Sequence, residues 1–277
     1  MRIFLLLLFL LTNLCVFSQK AFVTWDTLRM KLNNNWEKEF TTYNTRGTLI
    51  IYDKQKNLYH IYDSSRFKQQ YLPASTFKII HTLIALETGV IKNVRDKFEW
   101  DGTRYDNEKW NKSQSVTEAY KNSTVWVYQQ IAQKIGFKNM QEWIDKCNYG
   151  NKNITGGLTD FWLKGKLRIS AIEQIEFLKK LQSNLLPFSD KHTKVLKEIM
   201  IEEKTTSYII RSKTGWANYN DSEIGWYVGY VEKEKGEGKN KKKEYYFFAL
   251  NLDIKETSHA DARKYIVKRI LSDLKII

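Results

Sequence analysis

Cysteine is nearly absent from this sequence: its 277 residues include two, Cys15 and Cys147. Cys15 falls in a segment that reads as a removable leader, so Cys147 has no intrachain partner and a disulfide-stapled scaffold is excluded. Cys147 is then expected to be a small core residue. Histidine is scarce as well. The four, His60, His81, His192 and His259, form no H-E-x-x-H motif or close His/Cys/Asp grouping, so no protein-held metal is expected. Beyond the leader there is no apolar run long enough to span a bilayer, which argues against stable membrane insertion. Internal repeats and composition-shifted linkers are also missing, so the mature chain reads as one unit.

The leader itself has Arg2, an apolar run from Ile3 to Leu11, and the exit Val16-Phe17-Ser18, giving a signal peptide over 1–18 with cleavage before Gln19. Lipidation at Cys15 is the rival reading, but Thr12-Asn13-Leu14 lacks the small residues expected ahead of an anchor. Export without disulfides fits a bacterial periplasmic or secreted protein. The net charge of +14 has a local source in the run from Glu232 to Lys243. Its glycines and alternating charges read as a solvated loop between strands, and no nucleic-acid-reading module accompanies it, so no nucleic-acid partner is expected. A basic surface can instead attract anionic substrates.

Along the chain, the amphipathic piece around Trp25 to Leu32 predicts a first helix. Gly47 to Tyr52 and Leu58 to Tyr62 predict a strand hairpin. Pro73 then opens an apolar helix ending at Gly89. From Ile91 to about Lys204 the pattern is helical, with Val125 to Ile135, Asn139 to Cys147, a capping box at Ser170-Ala171-Ile172-Glu173, and a helix around Val195 to Met200. Strands return at Ser207 to Lys213, Ile224 to Val231 and Tyr245 to Ile254, with turns at Ala217-Asn218 and in the lysine-rich run. A last helix from about Asp261 carries Ile266, Val267, Ile270 and Leu271 at helical spacing. The expected fold is α+β: one antiparallel sheet flanked by helices, with a sheet lobe over 19–90 and 205–277 and an inserted helical lobe over 91–204, in one domain spanning 19–277.

The chemistry-bearing stretch is Pro73-Ala74-Ser75-Thr76-Phe77-Lys78. Three residues apart on one helix face, Ser75 and Lys78 lie within reach of each other, and a serine beside a lysine is an activatable nucleophile. Lys213-Thr214-Gly215 adds a glycine that lets a ligand backbone approach a strand edge, and Ser123-Thr124-Val125 stands at a helix start. S-x-x-K, S-D-N and K-T-G together mark penicillin-binding proteins and class A β-lactamases; here the middle element is Ser-x-Val.

With Tyr149-Gly150-Asn151, Phe161-Trp162-Leu163, Trp226-Tyr227-Val228-Gly229 and Asp261-Ala262-Arg263-Lys264 in the same order, the chain resembles a class D, oxacillinase-type serine β-lactamase over nearly all of its mature length. The resemblance implies the serine β-lactamase and transpeptidase-like fold and hydrolysis of β-lactam antibiotics. It casts Ser75 as nucleophile and Lys78 as a general base carrying carbon dioxide as an N-carboxylated lysine, with no bound prosthetic group. Ser123 and Lys213 are implied as the relay to the lactam nitrogen. Val125, Trp162 and Leu163 would form the lysine pocket, Trp162 giving its indole N–H to the carbamate. Thr214, Gly215, Trp216 and Arg263 would bind substrate, Arg263 gripping its carboxylate; the Ser75 and Trp216 N–H groups would form the oxyanion hole. Small-molecule β-lactams are the expected partners, and a homodimer is the one protein assembly allowed for. Two rivals share the acylation chemistry: a penicillin-binding peptidase and a β-lactam-sensing domain, both acylated without turnover. Val125 and Trp162 argue against the first, and the lack of further membrane spans against the second. Ile80-His81 departs from the proline and small polar residue common after this lysine.

Overall fold

The structure, a computed structural model, describes residues 28–219, 222–236 and 241–277. The expected leader over 1–18, with Cys15, lies outside the described residues.

Alternating apolar residues in strand β2 (Gly47–Asp53) divide between two cores. Ile50 and Tyr52 join the larger cluster on one face, and Leu49 and Ile51 join a second cluster on the other. A strand buried on both faces needs layers above and below it, and the chain supplies them. Strand β2 pairs antiparallel with β3 (Leu58–Tyr62), as the hairpin pattern predicts, and with the C-terminal strand β9 (Lys242–Ile254). The sheet continues through β8 (Ser222–Lys235), β7 (Tyr208–Tyr219) and β6 (Ile201–Lys204), with β1 (Met30–Leu32) on the far edge; numbering strands along the chain, the order is β1-β3-β2-β9-β8-β7-β6. A small separate pairing joins β4 (Lys97–Phe98) to β5 (Gln114–Ser115).

Helix α8 (His259–Asp273) covers the second face through Ile266, Val267, Ile270 and Leu271, joined by Phe40 of the short helix α1 (Glu37–Thr41). The other face carries α2 (Lys78–Glu87) and α6 (Ala171–Gln182), which pack with α3 (Val116–Lys121), α4 (Val125–Ile135), α5 (Phe137–Cys147) and α7 (Asp190–Ile199). The Ser170 capping box forms as the sequence predicts, its hydroxyl accepting from the Glu173 N–H while the Glu173 carboxylate accepts from Ser170. Gly89 follows α2 at φ +71°, the left-handed conformation that ends a helix. Cys147 is buried and unpaired. No helix among the described residues is long and apolar enough to cross a membrane.

Three expectations need correction. The segment ending at Leu32 is not a helix in its described part: Met30–Leu32 is an edge strand parallel to β3. A few residues gain too little from an isolated turn, whereas the open edge of β3 offers ready partners. Both ends of the lysine-rich run are strand, since β8 extends to Lys235 and β9 starts at Lys242. Its alternating charges meet across the hairpin, with Lys243–Glu232 at 2.6 Å and Lys235–Glu244 at 3.2 Å. Likewise the turn expected at Ala217-Asn218 falls later, because β7 and β8 stay paired out to Tyr219 and Ser222.

Gly229 faces Ser212 across β7 and β8. A Cβ there would stand 2.2 Å from the Arg211 carbonyl oxygen and 2.8 Å from the Ser212 Cα, both backbone atoms. Gly229→Ala should therefore lose about 1–3 kcal/mol of stability, measured by urea denaturation; an unchanged midpoint would contradict this close approach.

Candidate active site

A single tight turn sets the position of Ser75. Residues Ala74–Phe77 form a 3₁₀ turn and the α-helix proper begins only at Lys78, so Ser75 lies on the turn rather than inside the helix. Ala74 holds φ +50°, a left-handed conformation costing roughly 1–2 kcal/mol for a residue with a Cβ. Surrounding bonds hold the turn in place. The Ala74 N–H donates to the Trp162 carbonyl at 3.0 Å, the Thr76 hydroxyl donates to the Pro73 carbonyl at 2.6 Å, and Gln174 donates to the Thr76 hydroxyl at 2.9 Å. The serine is thus presented by one local bond and by contacts from two distant parts of the chain, Trp162 and Gln174.

Lys78 is fully buried, and its Nζ lies 3.0 Å from Ser75 Oγ. Below it is the face of Tyr128, one helical turn after Val125, with the ring centroid 4.8 Å from Nζ. No carboxylate among the described residues pairs with the amine. Burial alone pushes the Lys78 ammonium down to about 7, so a large share of the side chain is neutral near physiological pH. Trp162 is also fully buried, and its indole N–H has no hydrogen-bond partner among the described residues. An orphaned donor at that depth is uncommon and marks a place where an acceptor would be accommodated. Val125 opens α4 and is half-buried; half-buried Leu163 packs against the main core.

Strand β7 brings the second group of residues. Its partner β6 pairs no further than Arg211, leaving the β7 stretch from Lys213 to Ala217 without a strand on that side. Gly215 lets the Ser75 turn approach that stretch: a Cβ there would lie 3.0 Å from the Pro73 carbonyl oxygen and 3.3 Å from the Ala74 Cβ. Lys213 donates to Ser123 Oγ at 2.5 Å and to the Thr214 carbonyl at 3.0 Å. Ser123 reaches it from a left-handed backbone at φ +56°, just before α4. Burial, followed by the charges of Lys78 and Arg263, holds the Lys213 ammonium well below the usual lysine range. Arg263, at the start of α8, is buried, donates to the Gly215 and Ala260 carbonyls, and lies 5.9 Å from the Trp216 ring centroid. Burial pushes it down to about 10. Trp216 is 40% exposed beside it, its indole donating to Glu223. Arg263 stays charged at neutral pH and gives this edge of the site a cation that suits an anionic ligand.

The sequence-predicted residues fall into two linked groups: Ser75 and Lys78 with the Trp162 chamber, and Ser123 and Lys213 with the Thr214-Gly215-Trp216 edge and Arg263. Tyr149-Gly150-Asn151 serves as loop structure, with Asn151 exchanging hydrogen bonds with the Arg168 backbone. Trp110 packs edge-on against Tyr105, its indole bonded to the Asn122 carbonyl. Sequence reasoning missed Tyr128 beneath Lys78 and Tyr120 beside Lys213, at 5.6 Å from its ring. Only the helical spacing Val125-x-x-Tyr128 signalled the first. Among the described residues no His/Cys/Asp/Glu group could hold a metal.

Comparison with known proteins bears on the fold and the family. Residues 38–272 match the penicillin binding protein transpeptidase domain. Over 80% of its length the chain is 42% identical to β-lactamase OXA-20 of Pseudomonas aeruginosa, covering 79% of that protein. It is 38% identical to β-lactamase OXA-48 of Klebsiella pneumoniae, with 88% and 89% of the two chains covered. Among solved structures, FUS-1 (OXA-85), a class D β-lactamase of Fusobacterium nucleatum, superposes with a TM-score of 0.83 at 35% identity, over 89% of this chain and all of that one. A class D β-lactamase from Nostoc gives 0.82 at 40% identity, over 88% and 99%. With sequence and fold in agreement, this chain belongs to the class D, oxacillinase-type serine β-lactamase family.

Proposed function

We propose that this protein hydrolyses β-lactam antibiotics through an acyl-enzyme on Ser75 and thereby confers resistance. The observation that carries the reading is the uncharged-leaning amine of Lys78, sealed from water 3.0 Å from Ser75 Oγ. A solvated lysine would be an ammonium and could take no proton. The leader over 1–18 exports the mature domain 19–277, so that it meets β-lactams before they reach their targets.

In the proposed reaction Ser75 Oγ attacks the lactam carbonyl carbon as its proton leaves toward Lys78. The N–H groups of Ser75 and Trp216 stabilise the oxyanion. As the carbon–nitrogen bond breaks, the lactam nitrogen takes a proton from Ser123, which Lys213 supports at 2.5 Å. Thr214 and Gly215 align the substrate along the free edge of β7, and Arg263 pairs with its carboxylate, for which a planar guanidinium suits two oxygens. The proton taken from Ser75 passes from Lys78 to restore Ser123; water then attacks the ester carbonyl, giving a proton to the Lys78 side, which hands it to Ser75 Oγ as the ester bond breaks.

The chamber suits a carboxylated Lys78. The neutral amine is the form that reacts with carbon dioxide, the Trp162 indole N–H lacks a partner, and Val125 and Leu163 keep the surroundings apolar. When bound, carbon dioxide supplies an anionic proton acceptor at Lys78 that serves both acylation and deacylation. No prosthetic group is needed. A base that survives acylation is what separates a hydrolase from the acylated peptidase or sensor.

Hydrolysis of a chromogenic cephalosporin, followed with mass spectrometry of the protein, tests the reading: continuous turnover is expected, and stoichiometric acylation that stops, at saturating bicarbonate, would favour the peptidase or sensor. Lys78→Ala should lose roughly 10²–10⁴-fold in turnover; unchanged turnover would remove Lys78 as the base. Since burial brings Lys78 to about 7, its neutral fraction grows as pH rises through 7. Activity should fall from pH 8 to pH 6, and added bicarbonate should recover part of it at pH 6 by mass action; a flat profile indifferent to bicarbonate would contradict this. For Arg263→Ala we expect mainly a KM raised roughly 10- to 100-fold, the scale of a charged hydrogen bond, and an unaltered KM across carboxylated substrates would exclude it from binding.

A further inference from the structure

His81 follows Lys78 by three residues on α2, so the two share a helix face. It is fully buried, yet neither of its ring nitrogens has a hydrogen-bond partner among the described residues. Aromatic rings enclose it: Phe77 with centroids 5.2 Å apart, Tyr128 at 5.2 Å and Trp162 at 5.3 Å, the last two edge-on. The Tyr128 hydroxyl is already engaged with Thr82, and the Trp162 carbonyl with the Ala74 N–H. No carboxylate is among these neighbours. Burial, reinforced by Lys78, pushes the imidazole down to about 3, so it is neutral and offers one N–H and one lone pair. Packing alone would be served by an apolar side chain, and a ring nitrogen left unpaired here is destabilising. Two orphaned rings, His81 and Trp162, thus lie edge-on to each other, and His81 and the Lys78 amine both lie against the Tyr128 ring.

We infer that His81 is a positioning residue for a carboxylated Lys78, donating a ring N–H to one carbamate oxygen beside the indole N–H of Trp162 and so holding carbon dioxide on the lysine. Two donors match a two-oxygen anion. Loading forms a bond between Lys78 Nζ and the carbon of carbon dioxide, and one amine proton leaves to solvent. This inference rests on the carboxylated-lysine reading above, with His81 as a feature of this particular chain.

The test is titration of carbon-dioxide-depleted protein with ¹³C-bicarbonate at fixed pH, following the carbamate ¹³C resonance. Wild type should show a saturable signal that is absent in Lys78→Ala; if none appears, the carboxylated-lysine reading fails and the inference with it. His81→Phe keeps an aromatic ring and removes the donor. It should need at least fivefold more bicarbonate for half-loading, at an unchanged thermal midpoint, while His81→Asn, which retains an N–H donor, should recover part of the affinity. Half-loading of His81→Phe at the wild-type concentration, with the wild-type signal present, would overturn the inference alone. Should His81→Phe not fold, ¹⁵N-histidine wild type decides: loading should move the His81 ring resonances, and resonances unmoved by bicarbonate would overturn the role.

Discussion

Everything distinctive about this site depends on removing one lysine amine from water. Among the described residues no carboxylate offsets the burial of Lys78, so the protein disfavours the ammonium rather than pairing it. The cost falls on stability, and the return is a nitrogen near Ser75 that can hold or relay a proton at neutral pH. This explains why the surroundings are aromatic. Phe77, Tyr128, Trp162 and His81 supply volume and low polarity while keeping a few N–H groups available.

The same requirement accounts for the architecture around the site. A buried amine cannot lie on a mobile loop, and here it is the first residue of a helix whose next eight residues are buried. The reactive serine is placed just before that helix, on a turn kept in a left-handed backbone by bonds from Trp162 and Gln174. Opposite it, β7 runs past the end of β6 and keeps an edge available for a ligand. Gly215 lets turn and strand come close, and Gly225 leaves room for the Arg263 side chain, whose Cδ would lie 2.8 Å from a Cβ there. Arg263 completes this edge with a charge that attracts carboxylates.

Much of the fold was legible because its signals are local. The alternation in Gly47 to Tyr52, the capping box at Ser170 and the stripe Ile266, Val267, Ile270, Leu271 each report a face that must be buried, and each was found in place. The misreadings share one cause. Met30–Leu32 became a strand because β3 had an open edge, and the Glu/Lys run became hairpin because opposite charges met across it. Both depend on a partner distant in sequence or register, which periodicity within one segment does not report.

The sequence by itself determined the chemistry: a serine three residues from a lysine, a Ser-x-Val, a Lys-Thr-Gly and an arginine opening the last helix, in an order that names a family. These are properties of residue type and spacing, and folding does not alter them. Tertiary structure alone decided the state of those groups. Only packing could show that Lys78 is sealed from water, that Trp162 and His81 reach the same chamber with unpaired N–H groups, and that Lys213 meets Ser123 across 90 residues of chain. The reason is that burial sums contributions from many segments, and proton affinity follows burial rather than sequence.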